Sequence, residues 1–264
     1  MPRFCANLTL LYNEHDFLER FGAAARAGFK GVEYLFPYDY NKHQLAELLN
    51  RHNLKQVLHN LPAGDWAKGE RGIACLPDRV NEFQASVEKA IDYASALGCT
   101  QVNCLAGLAP AGVAQEKLRE TFVANLKFAA PKFKAAGIKL LIEPINSIRD
   151  MRGFYLNHTQ QALDIIREVN DNGSSDNLFV QYDIYHMQIM EGDLAATIEK
   201  NIKMIPHMQL ADNPGRHEPG TGEINYAFLF DFIDKLGYSG WIGCEYKPLT
   251  NTDAGVGWVR KYLS

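Results

Sequence analysis

Four times along this chain an amphipathic stretch stops at a glycine, a short β-rich run follows, and the run ends on a polar side chain. The glycines are Gly28, Gly98, Gly137 and Gly237; the polar ends are Glu33, Asn103, Glu143 and Glu245. Glycine takes the left-handed conformation that closes a helix more readily than any other residue, so each junction reads as a helix stop followed by a strand. The whole sequence holds eight such apolar runs: Phe4 to Asn7, Gly31 to Tyr34, Lys55 to His59, Gln101 to Cys104, Lys139 to Glu143, Leu178 to Asp183, His207 to Leu210 and Trp241 to Glu245. A helical pattern follows each, the last one short. Repeated βα units predict a parallel sheet, and eight of them predict an α/β fold of the (β/α)8 TIM-barrel type. At 264 residues, 47% hydrophobic and 22% charged, the chain has the size of one such barrel spanning residues 1–264 as a single domain, without linker or low-complexity segment.

The charge balance narrows the partners. With 27 basic against 31 acidic residues the net charge is −4, which offers no basic field for nucleic acid or for an anionic membrane. A small-molecule substrate is the expected partner, and a homo-oligomer is compatible with the sequence. The amino terminus lacks the apolar core and cleavage site of a signal peptide, and no run reaches membrane-spanning length, so a cytoplasmic location is expected. Five cysteines, Cys5, Cys75, Cys99, Cys104 and Cys244, are widely spaced and form no Cys-x-x-Cys pair. They read as reduced, packed thiols.

In a barrel the carboxyl ends of the strands meet at one mouth, where the catalytic groups belong. The last four runs end on or pass through Glu143, Asp183, Gln209 and Glu245. Three carboxylates gathered in a site of low dielectric repel one another unless a cation compensates, and oxygen donors suit Mg²⁺ or Mn²⁺. A divalent metal is therefore expected. His186 follows Asp183 closely enough to reach a substrate oxygen or the metal's surroundings, and His59 and Asn7 end two further strands. Two glycine-containing stretches, 60–77 and 211–225, break the short-loop rhythm and are placed to overhang the mouth as lids. The second carries Arg216 and His217, and Lys247 lies two residues past Glu245. A substrate carboxylate needs a cationic partner, and a guanidinium clasps one with two parallel hydrogen bonds, which favours Arg216, with Lys247 as the other candidate.

The stretches LHNLPAGDWAKGERGIACLP, LIEPIN, QYDIYHMQIMEG, ADNPGRHEPGTGEINY and GCEYKP run nearly end to end through the chain. They resemble the hydroxypyruvate isomerases, within the larger group of xylose-isomerase-like TIM barrels. The resemblance implies that Glu143 and Glu245 are paired catalytic carboxylates and that Asp183 and Gln209 complete a divalent-metal site with them. Where Gln209 stands, many sugar-epimerase relatives have histidine. It also implies interconversion of hydroxypyruvate and tartronate semialdehyde through an enediol; a 2-oxo-tetronate or another small oxo-sugar acid is the alternative substrate. A zinc-dependent DNA-repair endonuclease, another barrel relative, would call for more histidines at strand ends and a basic face, and the sequence has neither.

Overall fold

The computed structural model describes residues 1–170 and 176–263. Its strands are β1 (Arg3–Asn7), β2 (Gly31–Glu33), β3 (Lys55–Asn60), β4 (Gln101–Cys104), β5 (Lys139–Ile142), β6 (Leu178–Asp183), β7 (His207–Leu210) and β8 (Trp241–Cys244). All pair in parallel and in sequence order, and β8 closes onto β1 with Ala6 opposite Cys244. Each strand boundary falls within one residue of the sequence expectation. The reason is local: the runs are buried apart from residues at or next to their starts, and the glycines stop the preceding helices on schedule. Gly28, Gly98, Gly137 and Gly237 have φ of 103°, 61°, 72° and 73°, the left-handed region that a side chain would resist.

Apolar residues pack in two places. The larger core lies between the sheet and the surrounding helices, with Phe21, Phe83, Phe122 and Phe133 among its fully buried rings. A smaller cluster joins Cys5, Val57, Leu58 and Leu141, with Phe179 and Trp241 packed against it. Side chains alternate faces along a strand. The barrel-facing positions two or four residues on from members of this cluster are Asn7, Glu143, Gln181, Asp183 and Glu245, so polar groups stand on an apolar floor. No helix among the described residues is long and apolar enough to cross a membrane.

Candidate active site

The mouth is lined by Asn7, Asn60, Glu143, Gln181, His186, Gln209, Arg216 and Glu245, with Trp66 and Met151 as apolar walls. Both long loops therefore contribute, the first through Trp66 and the second through Arg216. The enclosed space is about 20 Å³, room for roughly one water. Asp183 and Glu245 are 1% and 7% exposed, and Glu143 is 5% exposed.

Each carboxylate is held differently. Glu143 Oε2 accepts from Asn103 Nδ2 at 2.8 Å. Glu245 Oε2 accepts from Gln209 Nε2 at 2.5 Å and Asn7 Nδ2 at 3.1 Å, and its Oε1 from Arg216 Nη2 at 2.8 Å. Asp183 Oδ1 accepts from the backbone N–H groups of Tyr185 and His186, the start of helix Ile184–Met190. Its Oδ2 is buried with no hydrogen-bond partner, 3.6 Å from His186 Nε2. Asp183 thus caps a helix with one oxygen and keeps the other for the site.

Electrostatics mark the same groups. Burial, then the charges of Glu245 and Asp183, push the Glu143 carboxyl well above the ordinary range. Burial also raises Asp183 and Glu245, against the lowering pull of Arg216. His186 is driven well below its usual value by burial and by the Arg216 charge, so its ring is neutral. Glu143, Asp183 and His186 each offer a ligand atom within 4.8 Å of the others. An orphaned carboxylate oxygen and mutually repelling acids fit a divalent cation.

Gln209 presents its nitrogen to Glu245, while its oxygen accepts from Gln181 Nε2 at 2.6 Å. It serves here as a clamp on Glu245, with its oxygen turned to Gln181. Arg216 joins Glu245 to Asp150, with Nη1 3.0 Å from Asp150 Oδ1, and lies over the Tyr185 ring.

Two expected substrate-binding residues lie elsewhere. His59 is fully buried beside Tyr38, because the pairing of β2 with β3 shifts at a bulge and strand alternation turns Leu58 and Asn60, its neighbours, into the mouth. Lys247 is exposed and does not line the cleft; its backbone instead donates to Arg216 O and accepts from His217 Nδ1. Asp150 and Asn146 went unpredicted. They sit in the loop after β5, and Asn146 Nδ2 lies 2.7 Å from His186 Nδ1. The only signal for them was the LIEPIN stretch itself, which ends on Asn146, with Asp150 four residues on.

A closed parallel barrel with an acidic, partly unsatisfied mouth defines a class of small-molecule α/β-barrel enzyme. The family model of the xylose isomerase-like TIM barrel matches residues 21–262. Hydroxypyruvate isomerase of Escherichia coli K12 is 53% identical over 99% of this chain and 100% of the relative. A 2-oxo-tetronate isomerase of Cupriavidus necator is 48% identical over 100% and 99%. A crystal structure described as an AP endonuclease, family 2, from Brucella melitensis superimposes with a TM-score of 0.95 at 46% identity, covering 99% of both chains. The chain belongs to the xylose isomerase-like TIM-barrel family, within its hydroxypyruvate isomerase group.

Proposed function

We propose that this enzyme interconverts hydroxypyruvate and tartronate semialdehyde by proton transfer through an enediol. The observation that carries the reading is a pair of buried glutamates, Glu143 and Glu245, anchored independently at one small mouth around an unsatisfied Asp183 oxygen. The identity of 53% to a hydroxypyruvate isomerase over its full length supports it.

In the forward direction one glutamate takes a proton from C3. The C3–H electron pair becomes the C2–C3 double bond, and the C2 carbonyl oxygen takes up charge and then a proton. Loss of the C3 hydroxyl proton re-forms a carbonyl at C3, and C2 receives a proton from the other glutamate. Raised carboxyls at both positions suit this exchange of base and acid roles. A Mg²⁺ or Mn²⁺ ion held by Glu143, Asp183 and Glu245, with Gln209 as a fourth candidate, would supply Lewis acidity at the substrate carbonyl. Among the described residues Arg216 is the one permanent cation lining the cleft, and its Nε has no partner. It receives the substrate carboxylate, releasing Glu245 as it turns. His186, neutral and with Nδ1 accepting from Asn146 Nδ2, carries its proton on Nε2 and donates it to a substrate oxygen.

The nearest second reading is a 2-oxo-tetronate substrate, supported by the relative at 48% identity. Purified enzyme offered both acids in D₂O with Mn²⁺ separates them. Higher kcat/KM on hydroxypyruvate and deuterium at the reacting carbon are expected. Preference for the four-carbon acid would overturn the substrate, and full retention of the original hydrogen would overturn proton transfer.

A further inference from the structure

Beneath the mouth lies a polar group that the reaction as written does not use. Glu33, at the end of β2, is 0% exposed, and His207, at the start of β7, is also 0% exposed. His207 Nε2 donates to Glu33 Oε2 at 2.7 Å, and Cys5 Sγ approaches the same oxygen at 3.5 Å. The other oxygen, Oε1, accepts from Asn7 Nδ2 at 2.9 Å and Gln209 Nε2 at 2.8 Å. These are the same two amide nitrogens that donate to Glu245 Oε2. Each amide has two N–H bonds, so one faces the buried carboxylate and one the reacting glutamate. The direction of Asn7 is set independently, because its oxygen accepts from Thr9 N at 3.1 Å.

A second observation shows that the fold reserves this place for a carboxylate. Gly243 on β8, two residues before Glu245, has no side chain, and a Cβ built there would lie 2.2 Å from Glu33 Oε1. Glu33 therefore rests against the strand that carries Glu245 and reaches the Glu245 side chain through two amides.

We infer that Glu33 is a positioning residue for Glu245: anchored by His207 and seated in the Gly243 slot, it holds the amides of Asn7 and Gln209 so that both point at the reacting carboxylate. This rests on the function proposed above, since it assigns Glu245 a role in turnover. A misplacement of about 1 Å at a reacting group costs on the order of a hundredfold in rate, and loss of an outer partner typically costs 10–100-fold in activity or metal affinity. Removing Glu33 frees both amides to turn toward each other or toward Gln181, and Glu245 loses its fixed side.

Three variants test it. Glu33→Leu removes the acceptor. Glu33→Gln keeps an oxygen for Asn7 and Gln209 and offers an N–H to His207, whose ring can accept at Nε2 because its unpartnered Nδ1 can carry the proton. Gly243→Ala removes no polar group but displaces the Glu33 carboxylate. Expected for folded enzyme is a 10–100-fold loss of kcat in Glu33→Leu and Gly243→Ala with KM within about threefold of wild type, and recovery of at least tenfold in Glu33→Gln. Wild-type kcat in folded Glu33→Leu, or Glu33→Gln no better than Glu33→Leu, would overturn the inference. If Glu33→Leu fails to fold, Gly243→Ala decides, and wild-type kcat there overturns it. If wild-type enzyme turns over neither acid, the proposed function fails while Mn²⁺ titration still tests Glu33. About tenfold weaker binding in Glu33→Leu, restored in Glu33→Gln, supports the positioning role; equal affinities in all three proteins reject it.

Discussion

His59 shows how a single residue can be placed at the right strand end and face the wrong way for chemistry. Its ring is fully buried against Tyr38, with Nε2 unpartnered, and burial pulls it from its usual 6.5 down to about 4. The folded state thus holds a neutral ring that the unfolded chain would protonate. A depressed histidine contributes stability that is complete above pH 6.5 and is lost as pH falls through 4. Between pH 7 and 4.5 the linkage amounts to roughly 2 kcal/mol. His59→Phe removes the titrating ring, so wild type should lose about 2 kcal/mol more than the variant over that interval in urea unfolding. Equal acid losses in the two proteins would refute the assignment. At this scale the sequence was legible wherever strand parity was regular: Glu143, Asp183, Gln209 and Glu245 do share the mouth with His186 and Arg216. It was illegible at β3, where the bulge against β2 shifts the register, and no spacing reveals a shift imposed by a neighbouring strand.

Among elements, the loop after β7 does more than hang over the mouth. Asp212 is 1% exposed, and its carboxylate gathers four backbone N–H groups: Asn213 and Ile224 on Oδ1, Gly220 and Gly222 on Oδ2. Gly222 must lack a side chain, since a Cβ there would lie 2.1 Å from Asn213 O. The same loop holds Arg216 at φ 58°, a left-handed conformation uncommon for any residue but glycine, and Arg216 N donates to Asp212 O at 2.8 Å. Sequence showed the loop's length and its glycines but not Asp212, whose partners lie up to twelve residues ahead and are backbone groups that leave no mark in side-chain chemistry. Asp212→Asn cannot accept at the second position and leaves two N–H groups facing an amide nitrogen, at a local cost of roughly 1–3 kcal/mol each. Amide exchange across residues 212–224 should quicken at least tenfold, and KM should rise on the order of tenfold as Arg216 loses its seat. Unchanged exchange and unchanged KM would mean that the loop is held by other contacts.

At the scale of the molecule, the barrel concentrates its costs at the mouth. The apolar floor and the helix-facing core are filled, while Glu143, Asp183 and Glu245 are buried close enough to raise one another's carboxyls, against the pull of Arg216 and of the hydrogen bonds they accept. A carboxyl raised in the folded state contributes stability that is full below its unfolded value and is lost as pH rises through the folded one. Metal-free protein should therefore be less stable at pH 8 than at pH 6, and neutralising one acid should relieve it. Asp183→Asn is the cleanest case. Asparagine still caps the helix after β6 through its oxygen, so the two backbone N–H groups keep their acceptor while the buried charge disappears. Metal-free Asp183→Asn at pH 8 should melt above metal-free wild type by roughly 2–4 °C, the shift that about 1 kcal/mol produces in a domain of this size. Millimolar Mn²⁺ should raise the wild-type melting temperature by mass action and leave the variant almost unmoved, because the ion binds only the folded site and that site has lost its free carboxylate oxygen. A variant that melts at or below metal-free wild type would show that the buried charges are already compensated within the protein. A variant stabilised by Mn²⁺ as strongly as wild type would place the ion away from Asp183, and chelation that leaves the wild-type melting temperature unchanged would remove the metal from the stability argument altogether.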